Sequence, residues 1–248
     1  KAKLPAIFLI FGLLVLWELL TRAIALPEYI MPSPLLIASA LKANHIALFN
    51  HSAVTLSAVF SGLLVAILVS LIVAIIMDRR ESVKQALYPI LVISQAVPIF
   101  ALAPLVLIWF GVGLLPKVII VALVCFFPLT INLVEGLNQV DPEAIDLMQT
   151  MQASRKMVMF TVQLPFVMPY FFSGLKIAVA YSVMGAIIGE WLAARAGLGI
   201  YMLRSMHSFR TADLFASIVV VVALSLALFK MVDLISWLVM PWQRKTNS

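Results

Sequence analysis

Charge is what this sequence has least of. Of its 248 residues only 11% are Asp, Glu, Lys or Arg, while 64% are hydrophobic; a soluble domain carries about 25% charged residues. So few charges cannot clothe a globular exterior, and one core could not hide so much apolar surface. The solvent that this composition fits is lipid. Cysteine is almost absent: Cys125 alone, inside an apolar run, excludes a disulfide framework and reads as a small core hydrophobe. The three histidines, His45, His51 and His207, are far apart and lack metal-ligand spacing, so membrane-interface positions account for them. No Gly-x-x-x-x-Gly-Lys-Ser/Thr phosphate loop occurs, which argues against nucleotide hydrolysis by the chain itself. Neither a His-Glu-x-x-His motif nor a convergent acid pair occurs, which argues against an intramembrane enzyme. The net charge of +6 does not indicate nucleic acid, because the basic residues lie in small groups at the ends of apolar runs, where lipid headgroups meet them.

Long apolar runs are what the chain has instead. A helix needs about 20 apolar residues to cross the hydrocarbon layer, and the spacing predicts six crossings in one membrane domain, residues 1–248, at 4–25, 53–77, 86–108, 116–137, 169–191 and 214–240. Within the first, Glu18 and Arg22 stand four apart and can pair. Ala23-Ile24-Ala25 resembles a cleavage site, but the run is long for a signal peptide and carries Trp17 and Glu18, so a retained helix is expected. Pro27, Pro32 and Pro34 end it, and 35–49 reads as an amphipathic surface helix. Pro98, Pro104, Gly111 and Gly113 predict that the second half of the third crossing is irregular. Six crossings put both termini on one side. That side holds about ten Lys and Arg against about six opposite, so it is expected to be cytoplasmic.

A polar stretch, 138–168, separates the fourth and fifth crossings. Asp141 suits an N-cap, Pro142 the first helical position and Glu143 the positive end of the helix dipole. A second start signal follows at Ser154, so two short amphipathic helices are expected, with Leu164-Pro165 and Pro169 leading into the next crossing. From spacing alone this could equally be a loop lying on the bilayer.

This stretch resembles the cytoplasmic "EAA" coupling loop of ABC importer permeases: Glu-Ala-Ala, three residues, Gly, then a run ending in Leu-Pro with a second Pro four residues on. Asp146 stands at the Glu position, Gln152 at the Gly position, and Leu164, Pro165 and Pro169 at the end. Leu147 and Met148 replace the alanines, and Gln152 departs from the glycine, so a looser turn, or one shifted toward Ala153-Ser154, is expected. Met31-Pro32-Ser33-Pro34, Ala103-Pro104-Leu105-Val106 with Trp109-Phe110-Gly111, Phe127-Pro128, Gly174-Leu175-Lys176, Gly189-Glu190 and Gly197-Leu198-Gly199 also resemble the branch of that family handling sulfonates, nitrate, bicarbonate and thiamine or riboflavin precursors.

The resemblance implies an all-α integral membrane fold, a six-helix type I ABC importer permease of the bacterial inner membrane. It implies a homodimer with two ATPase subunits, which bind the ATP and magnesium, and an extracytoplasmic binding protein that delivers substrate. The chain would hold no cofactor of its own. Its coupling loop would comprise Glu143, Ala144, Asp146, Gln152, Ala153, Leu164, Pro165 and Pro169. The Gly189-Glu190-Trp191-Leu192 segment with Gly197-Leu198-Gly199 and Tyr201-Met202-Leu203-Arg204-Ser205 looks most like permeases for thiamine pyrimidine precursors, with sulfonate or taurine uptake next. A vitamin-uptake subunit without a receptor would lack the long loop; a passive channel would have no ATPase.

Ser94, Gln95, Tyr181, Ser182 and Met184 are unusual for lipid-facing positions, and either line a pathway or bond helix to helix. Glu190 is either a pathway group or the partner of an outer arginine, Arg195 or Arg204. Lys176 is expected to snorkel, and Lys230 and Asp233 to neutralise one another.

Overall fold

The structure, a computed structural model, describes residues 3–24 and 26–245. Lys1 and Ala25, the latter the expected end of the first crossing and of the cleavage-like tripeptide, lie outside the described residues. The described residues form helices and no strand: α1 (Lys3–Ala23), α2 (Pro34–Ala43), α3 (His45–Arg79), α4 (Glu81–Ser94), α5 (Ile99–Phe110), α6 (Leu114–Asn138), α7 (Pro142–Thr150), α8 (Arg155–Val158), α9 (Leu164–Ala193), α10 (Leu198–His207) and α11 (Thr211–Val239). A π-helical turn, Met159–Gln163, joins α8 to α9, and a 3₁₀ turn, Pro241–Lys245, follows α11.

Helical stretches long and apolar enough to cross a membrane are His45–Arg79, Leu114–Asn138, Lys156–Leu192 and Thr211–Val239; α4 and α5 add a fifth if the bent pair is one span. At the molecule's centre α6 and α9 pack antiparallel, flanked by α3 and α11. The seam is made of small residues, Ala58, Ala66, Cys125, Ala178 and Ala186 among them, all essentially buried. Lipid gives no hydrophobic drive between helices, so close backbone approach supplies the packing. Gly62 shows why: a Cβ there would sit 2.5 Å from the Cβ of Val121. Beyond the seam, Leu64, Leu68 and Ile72 of α3 and Leu226, Leu234 and Leu238 of α11 are exposed, as are Phe8 and Phe11 of α1. Those faces suit lipid.

Three segments differ from the sequence expectation. The helix expected over 35–49 is cut at Asn44, and everything from His45 on belongs to a single 35-residue α3 that overruns the expected 53–77. The cut is held by Asn44, whose Nδ2 donates to the Ala40 carbonyl and to Oδ1 of Asp213 on α11. The third crossing is not one helix with an irregular second half. Both halves are helical, and the irregularity lies between Ser94 and Ile99, where the chain bends by 103°. Pro98 has no N–H to return to the Ser94 carbonyl and disfavours helical geometry at Val97, so the helix cannot run through from α4 into α5. Finally, 138–168 holds one separate short helix, α7, rather than two. The second continues through the π turn into α9, so Pro169 lies inside a helix rather than at its start. The Leu164 amide reaches back five residues to the Met159 carbonyl. That widened turn moves the carbonyls that the Pro165 ring would strike in regular α geometry.

Candidate functional site

Residues that sequence reasoning singled out fall into three places. The first is α7, which projects between α6 and the α8–α9 path. The Asp141 carboxylate accepts the Glu143 amide at 2.9 Å, the expected cap, and Pro142 occupies the first turn. Ala144, Ile145 and Met148 face the body of the protein, and Ile145 packs on a buried cluster that includes Met77, Leu91, Leu133 and Val167. Asp146 and Leu147 face away, and Met151 beyond them is 71% exposed.

Gln152 corrects the expected turn. It adopts φ +58° itself, so the turn is neither loosened nor moved toward Ala153-Ser154. The Gln152 amide donates to the Gln149 carbonyl at 2.9 Å and the Ala153 amide to Met148 at 3.0 Å, the paired bonds of a Schellman C-cap. A glutamine is held in the glycine-favouring region because those bonds satisfy carbonyls that the helix end would otherwise orphan. Leu164 is partly exposed. Pro165 and Pro169 line a groove with Tyr170, Ser173 and Trp242, separate from α7.

The second place is a buried node around Glu190, whose side chain is fully buried. Its carboxylate accepts the Thr55 hydroxyl at 2.9 Å and the Gly199 amide at 2.7 Å, while Thr55 Oγ1 accepts the Leu198 amide at 2.9 Å. The acid therefore caps α10. Neither Arg195 nor Arg204 is its partner; Arg204 reaches the Arg195 carbonyl instead. Gly197, at φ +131°, folds α10 back so that its positive end meets the carboxylate, and a Cβ on Gly197 would lie 2.2 Å from that carboxyl group. Lys117, itself buried, donates to the Ala196 carbonyl close by. His51 is not a bare interface residue: its Nδ1 accepts the Gly197 amide at 2.9 Å, and its ring packs against Tyr201. Sequence reasoning did not assign His51, Thr55 and Lys117 to this node. The signal was the Gly-x-Gly a few residues after a lone intramembrane acid.

Lys176 also differs from expectation. It does not snorkel but pairs with Asp233, 2.5 Å away on α11, and lies over the Phe229 ring. Lys230 is thus not the partner of Asp233. A Lys preceding its acid by three is the weaker orientation on a helix, and the stem of Lys176 spans the α9–α11 gap.

The third place is a cleft of about 540 Å³ where the break between α4 and α5 faces α6 and α9. Ser94, Gln95, Tyr181 and Met184 all line it. Ser182 does not; it is buried and donates to the Val179 carbonyl. The remaining walls include Phe100, Phe127 and Val124. No group of His, Cys, Asp and Glu among the described residues could hold a metal ion.

Comparison with known proteins bears on what these features do. Residues 66–245 match the family described as the binding-protein-dependent transport system inner membrane component. The formylaminopyrimidine transport permease protein ThiX of Halalkalibacterium halodurans is 34% identical over 246 residues, 99% of this chain and 98% of that one. The riboflavin transport system permease protein RibX of Chloroflexus aurantiacus is 32% identical, covering 93% of this chain and 87% of its own. The taurine transport system permease protein TauC of Escherichia coli is 30% identical, covering 80% and 72%.

Proposed function

Because the chain belongs to the family of binding-protein-dependent transport system inner membrane components and is a permease component of an ABC importer, we propose that it forms the translocation pathway as a homodimer driven by two separate ATPase subunits. The observation that carries this reading is α7. It is a nine-residue helix with Leu147 exposed and Met151 exposed at its C-cap, anchored on its Ile145 face, and it stands out from the membrane-crossing body. Its outward face sets Leu147 among Glu143, Asp146, Gln149 and Thr150, a mixed surface of the kind that a protein groove takes up. Closure of the ATPases on nucleotide would tilt α7 and, through Ile145 and the cluster around Met77 and Val167, move the ends of α3, α6 and α9 as rigid bodies. Asp146, beside Leu147 on the outward face, is the acid that meets the partner.

Six crossings fit this assembly. The 21-residue α1 is the sixth, with an apolar, exposed surface. Both termini and α7 then share the cytoplasmic side of the inner membrane, which agrees with the excess of Lys and Arg there. An extracytoplasmic binding protein delivers a small polar nutrient to the opposite face, where α10 lies. The likeness to the formylaminopyrimidine permease supports a thiamine pyrimidine precursor as the nutrient, with taurine or another sulfonate, or riboflavin, as the alternatives that the TauC and RibX likenesses keep open.

The test is coupling. Asp146→Lys, or Met148→Pro within α7, leaves the chain folded in the membrane but separates ATP hydrolysis from uptake in reconstituted vesicles. Full uptake by both variants removes α7 from the coupling role.

A further inference from the structure

The cleft between the α4–α5 break and α9 has a chemistry that discriminates among solutes. No charged side chain is among its lining residues. The charges nearest in sequence are engaged elsewhere: Lys176 with Asp233, Lys117 with the Ala196 carbonyl, and Glu190 with Thr55 and Gly199. A small anion entering the cleft would leave water without meeting a cation, a steep cost in apolar surroundings. Three aromatic side chains, Phe100, Phe127 and Tyr181, line the same space with Met184. These offer broad apolar contact and polarizable sulfur to a flat ring.

The polar groups present are neutral and few. Gln95 brings a carboxamide that both donates and accepts, and Tyr181 a phenol. The helix break adds main-chain donors. α5 begins at Ile99 behind Pro98, whose side chain supplies no cap, so the first-turn amides at Ile99 and Phe100 have no partner within the helix. Both residues line the cleft. Ser94, by contrast, spends its hydroxyl on the Leu91 carbonyl. A pocket that is mostly apolar with a few convergent polar groups is the usual form of a site for a neutral organic ligand.

We propose that this cleft binds an uncharged, planar heteroaromatic solute on its way through the permease, its ring against Phe100, Phe127 and Tyr181 and its carbonyl or ring-nitrogen edge against Gln95 and the first amides of α5. The proposal rests on the importer reading and deepens it, since it selects heterocycles over sulfonates, nitrate and bicarbonate. Gln95 and Tyr181 become the specificity-determining residues on the permease itself, independent of any receptor.

Equilibrium binding of radiolabelled formylaminopyrimidine to the permease–ATPase complex in detergent, with no receptor present, tests this. Saturable binding is expected, undisturbed by a hundredfold excess of taurine or nitrate. Gln95→Leu and Tyr181→Ala should each weaken it at least tenfold while the complex with the ATPase still forms. Absence of saturable binding, displacement by taurine or nitrate, or wild-type affinity in both variants overturns the cleft assignment and leaves the importer reading standing. Failure of the chain to assemble with an ATPase at all overturns the importer reading first, and the cleft proposal with it.

Discussion

Gln152 sits at φ +58° with a full side chain, at the end of a helix whose last carbonyls it satisfies. A left-handed residue other than glycine costs about 1–2 kcal/mol, partly offset in a Gln152→Gly variant by about 0.5–1 kcal/mol of extra unfolded-state entropy. The net gain, about 0.7 kcal/mol at the middle of these ranges, should appear locally. Amide hydrogen exchange in α7 should slow by roughly threefold in Gln152→Gly; unchanged or faster exchange would mean that the glutamine side chain holds the turn by itself. At Glu190 the sign reverses. Replacement by Ala orphans the buried Gly199 amide and leaves Thr55 one acceptor short, a loss of about 2 kcal/mol by the cost of unsatisfied buried groups. Arg204→Ala should leave stability in detergent unchanged, because Arg204 touches a carbonyl and not the acid. Equal losses for the two variants would restore the arginine as the acid's partner.

Among the elements, the α4–α5 break governs the shape of the cleft. A straight helix from Ile90 to Ile108 would span about 27 Å at 1.5 Å per residue, and the observed 103° bend brings those exposed positions closer. Pro98→Ala restores an amide and frees Val97 for helical geometry. Spin labels at Ile90 and Ile108 should therefore move apart by several ångströms in that variant, as helix rise dictates; an unchanged distance would assign the bend to packing of Ala103 and Val106 on Ile120 and Ile188. The prolines show how far local sequence rules reach. Pro142 was readable as a first-turn residue because the adjacent Asp141 cap decides it, whereas Pro34, read as a helix breaker, opens α2 behind the Ser33 cap. Pro165 and Pro169 were not, because whether a proline ends a helix or is absorbed depends on a π turn upstream that no residue type announces. The same limit applies to Asp233, whose partner Lys176 is 57 residues away, and to Thr55, brought to Glu190 only by the α3–α9 crossing.

On the scale of the whole molecule, composition specified a lipid-embedded chain, since so small a charged fraction cannot clothe a soluble exterior, and the length of its apolar runs specified helices. The clustering of Ser94, Gln95, Tyr181 and Met184 in one cleft could be suspected from their oddity among lipid-facing residues, whereas the exclusion of Ser182 and Glu190 from it depends on which face of α9 each occupies. The proposed assembly requires that this chain act with partners: Leu147 of α7 and Met151 at its C-cap are exposed, and the cleft along α4–α5 lies at the surface of one copy. Gentle extraction of the tagged chain from its own membrane, with mass measured on the intact particle, addresses that requirement most directly. The account predicts a complex of two copies of this chain with two ATPase subunits, losing the ATPases when Leu147 and Met151 are both replaced by Asp. A stable particle containing this chain and no ATPase, unaltered by that double replacement, would contradict it.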